Sequence, residues 1–125
     1  MPSKISLQIK HESCDLEKLA SDIKLPIARI WAAGAERKTV QGALLGGNYE
    51  ESYLSLKIEC PDESIDGAIG LLKNNLIAMP EDSANFFAKP DLKKTLYCTL
   101  VSGGEKIGLD MLRILVDFNI NLEID

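Results

Sequence analysis

The chain has 125 residues, 46% of them hydrophobic and 26% charged, and a formal net charge of −5. That length fits one domain with a single core, so the whole chain is expected to form one unit. The acidic balance argues against nucleic acid as a partner, because phosphate binding needs a basic face. No apolar run approaches the roughly 18 residues of a spanning helix, so no membrane span is expected.

Lys4 to Lys10 alternates strictly, with Ile5, Leu7 and Ile9 on one face and Ser6, Gln8 and Lys10 on the other. This is the pattern of a strand with one buried side. Ser13 is placed to cap a helix over 15–24, in which Leu16, Leu19, Ala20 and Ile23 recur at helical spacing. Pro26 ends it. Ile27 to Ala33 reads as a second strand and Ser52 to Cys60 as a third, joined as an antiparallel pair by a long glycine-punctuated segment. Ser64 is the expected cap of a second amphipathic helix through Ile65, Ala68, Ile69, Leu72 and Leu76. A short helix or turn is expected within 80–91, around Phe86 and Phe87. Thr95 to Val101 is a fourth strand, turned by Gly103-Gly104 into an apolar helix over 105–118, and Ile120 to Asp125 alternates as the last strand.

The order is β-α-β-β-α-(α)-β-α-β. The first and last βα units resemble each other, which suggests a weak internal duplication. One-faced strands and one-faced helices combine as an α+β two-layer sandwich, in ferredoxin-like style. It has a largely antiparallel sheet of about five strands with helices on one face.

The three cysteines, Cys14, Cys60 and Cys98, have no C-x-x-C spacing, so neither a disulfide framework nor a zinc site is expected. Met1-Pro-Ser-Lys-Ile5 lacks the apolar core of a signal peptide, and a reducing, cytoplasmic location is expected. The single histidine, His11, reads as a surface residue with no nucleophile to activate. No His spacing suits a metal, and paired carboxylates such as Glu50 and Glu51 read as solvated faces. Gly42 to Gly47 leads into a strand and not a helix, which removes the dipole that a phosphate cradle uses. No catalytic, metal or cofactor residue is therefore expected. Arg29, Trp31, Arg37, Lys38, Tyr49, Glu50, Glu51 and Tyr53 remain as candidate binding residues, because Trp, Tyr and Arg are enriched at protein–protein hot spots. The bland alternative makes Trp31 a core residue and Arg29 an edge residue lying along the sheet.

Gly34-x-x-Arg37-Lys-Thr-x-x-Gly42, with Gly47-Asn-Tyr49-x-x-Ser52-Tyr53, resembles the bacterial domain-of-unknown-function family 4279. The likeness extends over nearly the whole chain and is sharpest at 34–53. The family typically reads Thr-Pro where this chain has Thr39-Val40, and often Trp where it has Leu54. The resemblance implies a small bacterial α+β protein without an established activity. By analogy with other small bacterial proteins, some of which are immunity partners of secreted toxins, a non-enzymatic protein-binding module is expected. Its specific form would be a cytoplasmic immunity protein that neutralises a basic toxin domain through 34–50 or the polar sheet face. The alternative is a small-ligand sensor in which Arg29, Arg37 and Lys38 hold an anion beside Trp31. Homodimerisation is allowed through the apolar last helix or an edge strand.

Overall fold

The computed structural model describes residues 4–38, 43–59, 65–99 and 107–124. Alternation decides the centre of the sheet. In strand β1 (Lys4–His11), Ile5, Leu7 and Ile9 are buried and the residues between them face the other side. The strand pairs antiparallel with the segments Ser52–Lys57 and Lys93–Thr99, placing Leu7 opposite both Leu56 and Leu96. All three leucines are fully buried. Each contributes on the order of 1.5–3 kcal/mol relative to exposure, an upper bound because the unfolded chain is itself partly compact.

Helix α1 (Glu17–Ile23) leads into β2 (Ile27–Trp31), at one edge of the sheet. Lys24 ends α1 in the left-handed region (φ 61°), two residues before Pro26. Beyond β2 lie two short strands, β3 (Glu36–Lys38) and β4 (Leu44–Asn48), which pair with each other in a separate two-stranded sheet. The chain returns through β5 (Ser52–Lys57) to helix α2 (Ile65–Ile77), helix α3 (Glu81–Phe87) and strand β6 (Lys93–Thr99). Helix α4 (Leu109–Asp117) and strand β7 (Asn121–Ile124) follow. The five-stranded sheet runs β2-β5-β1-β6-β7. Leaving out the β3–β4 pair, the segments from β1 to β6 have the β-α-β-β-α-β order and interleaved antiparallel strands of a ferredoxin-like unit. The fold is therefore the expected α+β sandwich, with one parallel pair, β6 with β7, at its edge.

The helices bury one stripe each: Leu19, Ala20 and Ile23 in α1, and Ile65, Ala68, Ile69, Leu72 and Leu76 in α2. Three polar tethers fix their arrangement. Asn75 Nδ2 donates to the Ile23 carbonyl at 2.8 Å, and Ser83 Oγ donates to the Asp22 carboxylate. The Asp66 carboxylate accepts from Gly108 N–H at 3.1 and 3.3 Å, where its charge suits the start of α4.

Several boundaries differ from expectation. The second strand stops at Trp31, because Ala32 accepts from Ala35 N–H across Gly34 (φ 85°). Glycine at that third position is what a type II turn requires. Ser13 does not cap α1: the cap position is Leu16, and Asp15 Oδ1 accepts from Glu17 N–H instead. The fourth strand begins at Lys93, two residues early. Helix α4 begins at Leu109, and residues 105 and 106 lie outside the described residues, as do Cys60, Ser64 and Gly103-Gly104. The two similar βα units also differ in topology. β6 and β7 are parallel neighbours, whereas β5 lies between β1 and β2.

The early start of β6 places Lys94 on the core face, in phase with Leu96 and Cys98, and only 1% exposed. Its ammonium donates to the Phe87 carbonyl at the end of α3 and lies 4.6 Å from the centre of the Phe87 ring. A cation near a helix C-terminus and over an aromatic face is favourable. Burial nevertheless holds the Lys94 pKa below its ordinary value. Between that lowered value and the ordinary one near 10.4, the unfolded chain binds more protons than the folded chain. Stability should therefore rise with pH across that window, with the full cost of the buried charge present below it. Lys94→Met should abolish this rise; denaturant unfolding at stepped alkaline pH measures it, and an unchanged slope would assign the dependence to another group.

Candidate functional site

At the edge of the sheet, Trp31 of β2 lies opposite Tyr53 of β5, and both rings project to the face away from the helices. The turn at Ala32–Ala35 interrupts the strand, after which Gly34 N–H donates to the Tyr49 carbonyl and Tyr49 N–H donates to that of Ala35, both at 2.9 Å. Ser52 Oγ closes the gap by accepting from Ala33 N–H at 2.9 Å. The detour brings Tyr49 back over the indole. Trp31 is stacked between Tyr49 (centroids 4.4 Å apart, planes 11°) and Tyr53 (4.5 Å, 21°). Lys10, the β1 neighbour of Tyr53, places its ammonium 5.9 Å from that ring.

The arm beyond this stack is strand and not the structureless connection its glycines suggest. Two steps along β3, from Glu36 to Lys38, face four along β4, from Asn48 to Leu44. The surplus coincides with Gly46 and Gly47, both at positive φ (81° and 73°). A Cβ at either would meet nothing within 4 Å. Glycine is needed here for its backbone freedom and not for space.

Between the root of this arm and the end of β1 lies an open cleft of about 530 Å³. That volume lies in the range of small-molecule and side-chain sites. Trp31 and Tyr49 form its aromatic wall, and Glu12, Glu50 and Glu51 contribute carboxylates. Among the described residues, Arg37 contributes its guanidinium and Asn48 its amide. Both faces of the indole are already covered, so an occupant meets the edge of the stack and the polar rim.

Five of the eight candidate residues therefore come together here: Trp31, Arg37, Tyr49, Glu50 and Glu51. Tyr53 supports the wall from behind. Arg29 is exposed on the polar sheet face opposite Ser55 and does not line the cleft. The Lys38 backbone pairs with Leu44, and its side chain lies outside the described residues. The reading of Trp31 as a core residue is not what is found, since it is half-buried on the helix-free face. Sequence reasoning missed Glu12 and Asn48. Glu12 follows the β1 residue paired with Ser52, so the β1–β5 register was the signal that could have placed it near Glu50 and Glu51.

His11 is the main correction. It is not a surface residue but only 8% exposed. Its Nδ1 accepts backbone N–H groups from Ser13 (3.1 Å) and Cys14 (3.0 Å), and its Nε2 lies 3.0 Å from Asp91 Oδ2. Two donors at Nδ1 leave the proton on Nε2, an assignment that follows from the hydrogen bonds. Phe86 packs against the ring at 6.0 Å. The hydrogen bond from His11 holds the Asp91 carboxyl below its ordinary value, against the opposing effect of desolvation. The stability this lends is present above the ordinary Asp value and is lost as pH falls through the lowered one. His11 thus clamps the turn after β1 to the segment before β6. Among the described residues, no group of three His, Cys, Asp or Glu side chains could hold a metal ion.

No family model, no curated protein and no solved structure matches the chain.

Removing the middle ring of the stack should be felt twice. Trp31→Ala is expected to cost roughly 1–3 kcal/mol, about 0.5–1.5 for each aromatic pair beyond burial. Denaturant unfolding measures it, and near-UV circular dichroism should lose its stacked-aromatic bands. His11→Ala should cost on the order of 1–3 kcal/mol by stranding the Ser13 and Cys14 N–H groups. A loss within error of zero would show that water replaces the ring.

Proposed function

We propose that the protein is a non-enzymatic binding module whose cleft takes a basic segment of a protein partner. The observation that carries this reading is the lining itself: among the described residues, three carboxylates and one guanidinium, beside an aromatic wall. A guanidinium or ammonium entering there would gain charge-assisted hydrogen bonds from Glu12, Glu50 or Glu51. Its methylenes would rest on the edge of the stack. The net charge of −5 favours encounter with such a partner over long range. A basic toxin domain neutralised in the cytoplasm is the specific partner suggested by analogy with other small bacterial proteins. The anion-sensor alternative is the weaker reading. Arg29 does not line the cleft, and the carboxylates around Arg37 would repel an anion.

Titration of Trp31 fluorescence with oligo-arginine, oligo-lysine and oligo-glutamate peptides tests the proposal. Saturable change with the basic peptides, weakened by added salt, is expected. Glu50→Gln with Glu51→Gln should weaken binding about tenfold or more, which corresponds to ~1.4 kcal/mol. A flat response to both basic peptides, or saturation only with oligo-glutamate, would refute it. The toxin form is tested separately by co-expression with the product of any toxin-like neighbouring gene; failure to form a complex would remove that form.

A further inference from the structure

The turn that leaves β1 is closed by a side chain. His11 Nδ1 accepts from the N–H groups of Ser13 (3.1 Å) and Cys14 (3.0 Å), two and three residues further on. Asparagine and aspartate make the same kind of closure in Asx turns, with a side-chain oxygen in place of the ring nitrogen. Glu12 is enclosed between the ring and its two donors, so the closure fixes the backbone that carries its carboxylate. Glu12 is exposed and lines the cleft beside Trp31. Nε2 anchors the buried ring from the other side, 3.0 Å from Asp91 Oδ2. Phe86 of α3 packs on the ring, and the Lys89 ammonium lies 5.7 Å from the centre of Phe86. On the sheet, the strand partner of His11 is Ser52 of β5, and one position back Lys10 pairs with Lys93 of β6. Asp15 follows the turn and leads into α1. Among the described residues, Asp91 is the charged group in contact with the imidazole.

We propose that His11 is a positioning residue for Glu12, and that a second proton on its ring loosens the cleft's hold on a basic partner. The inference rests on the reading of that cleft as a site for a basic segment. Nδ1 takes up a proton only by becoming a donor, and it then faces two N–H groups from which it can no longer accept. Asp91 stays ionised, because the His11 hydrogen bond holds its carboxyl below the ordinary value, so the Nε2 contact persists and strengthens. The ring therefore stays in place while the turn opens. Ser13 and Cys14 N–H turn to water, and Glu12 loses its fixed position. Its carboxylate is then withdrawn from the cleft rim, whereas Glu50 and Glu51, in the segment before β5, keep theirs. The charge of an arginine partner is constant throughout, since a guanidinium remains protonated. Binding is accordingly stronger at neutral pH than in acid.

Two measurements test the coupling. Oligo-arginine binding, read by Trp31 fluorescence from about pH 8 to about pH 5, covers the span in which imidazoles ordinarily change charge. Affinity should fall about threefold or more toward the acid end, the scale of one exposed charge contact. His11→Asn keeps a side-chain acceptor for the turn but takes up no proton, and its affinity should be flat over the same span. Glu12→Gln alters an exposed position and keeps the fold; it should bind more weakly than wild type and lose the pH slope. NMR of the free protein reads the turn without any peptide: the Ser13 and Cys14 amide protons should move upfield in one transition with the His11 ring. A ring that titrates without moving those amides, or that does not titrate, would overturn the proposal. So would parallel acid weakening in wild type and His11→Asn, which would assign the slope to the cleft carboxylates and leave the reading of the cleft intact. Absence of oligo-arginine binding at every pH would instead remove that reading, and the coupling with it.

Discussion

A slip of one residue in the pairing of β1 with either neighbour would turn Ile5, Leu7 and Ile9 to water and drive Ser6, Gln8 and Lys10 under the helices. That register is the constraint on which the rest of the molecule depends. The row Leu56-Leu7-Leu96 runs across three strands, so both junctions must be correct together for any of the three to be buried. The helix layer follows from it, because α1 and α2 each offer a single apolar stripe and need a continuous apolar floor. The polar face follows as well. Lys10, Tyr53 and Trp31 lie side by side on consecutive strands only because Ile9, Leu54 and Ile30 lie side by side on the other face.

The cleft arises where this regularity is broken. If β2 and β5 had continued as a plain hairpin, Tyr49 would have been one more strand residue pointing away at fixed spacing. The turn at Gly34 displaces it onto the indole and at the same time separates the β3–β4 arm from the main sheet. Glu50 and Glu51 lie in the short segment between the arm and β5, where no ladder partner covers them. One positive-φ glycine thus links the aromatic wall to the acidic rim. The surrounding sheet provides the stiffness that a loop alone would lack.

Elements with strong periodicity were legible in the residues. The β1 alternation and the α2 stripe define their faces without ambiguity, and they led to the correct layers and sheet class. The parallel β6–β7 pair was not legible, because alternation within a strand says nothing about the direction of its neighbour. Lys94 was missed for a related reason. A lysine at a strand start reads as solvated, and only its phase with Leu96 and Cys98 would have placed it inside. His11 was misread because its partners are two backbone N–H groups in the next turn and an aspartate 80 residues away. In the 34–50 segment, glycines that read as a flexible connection are the positions that let a strand carry two surplus residues. Composition can mark such glycines, but only pairing shows which strand they belong to.

Strand β7 has a consequence for the molecule's behaviour among its own copies. Without it, β6 would present seven residues of unpaired backbone at a sheet edge, with Leu96 and Cys98 alternating along it. A long, regular edge of that kind is a template for uncontrolled strand addition. β7 covers that edge with only four residues, and its own outer edge carries Glu123. The α4–β7 unit can accordingly be viewed as a shield as much as an extension of the fold. A long adhesive border is exchanged for a short, charged one.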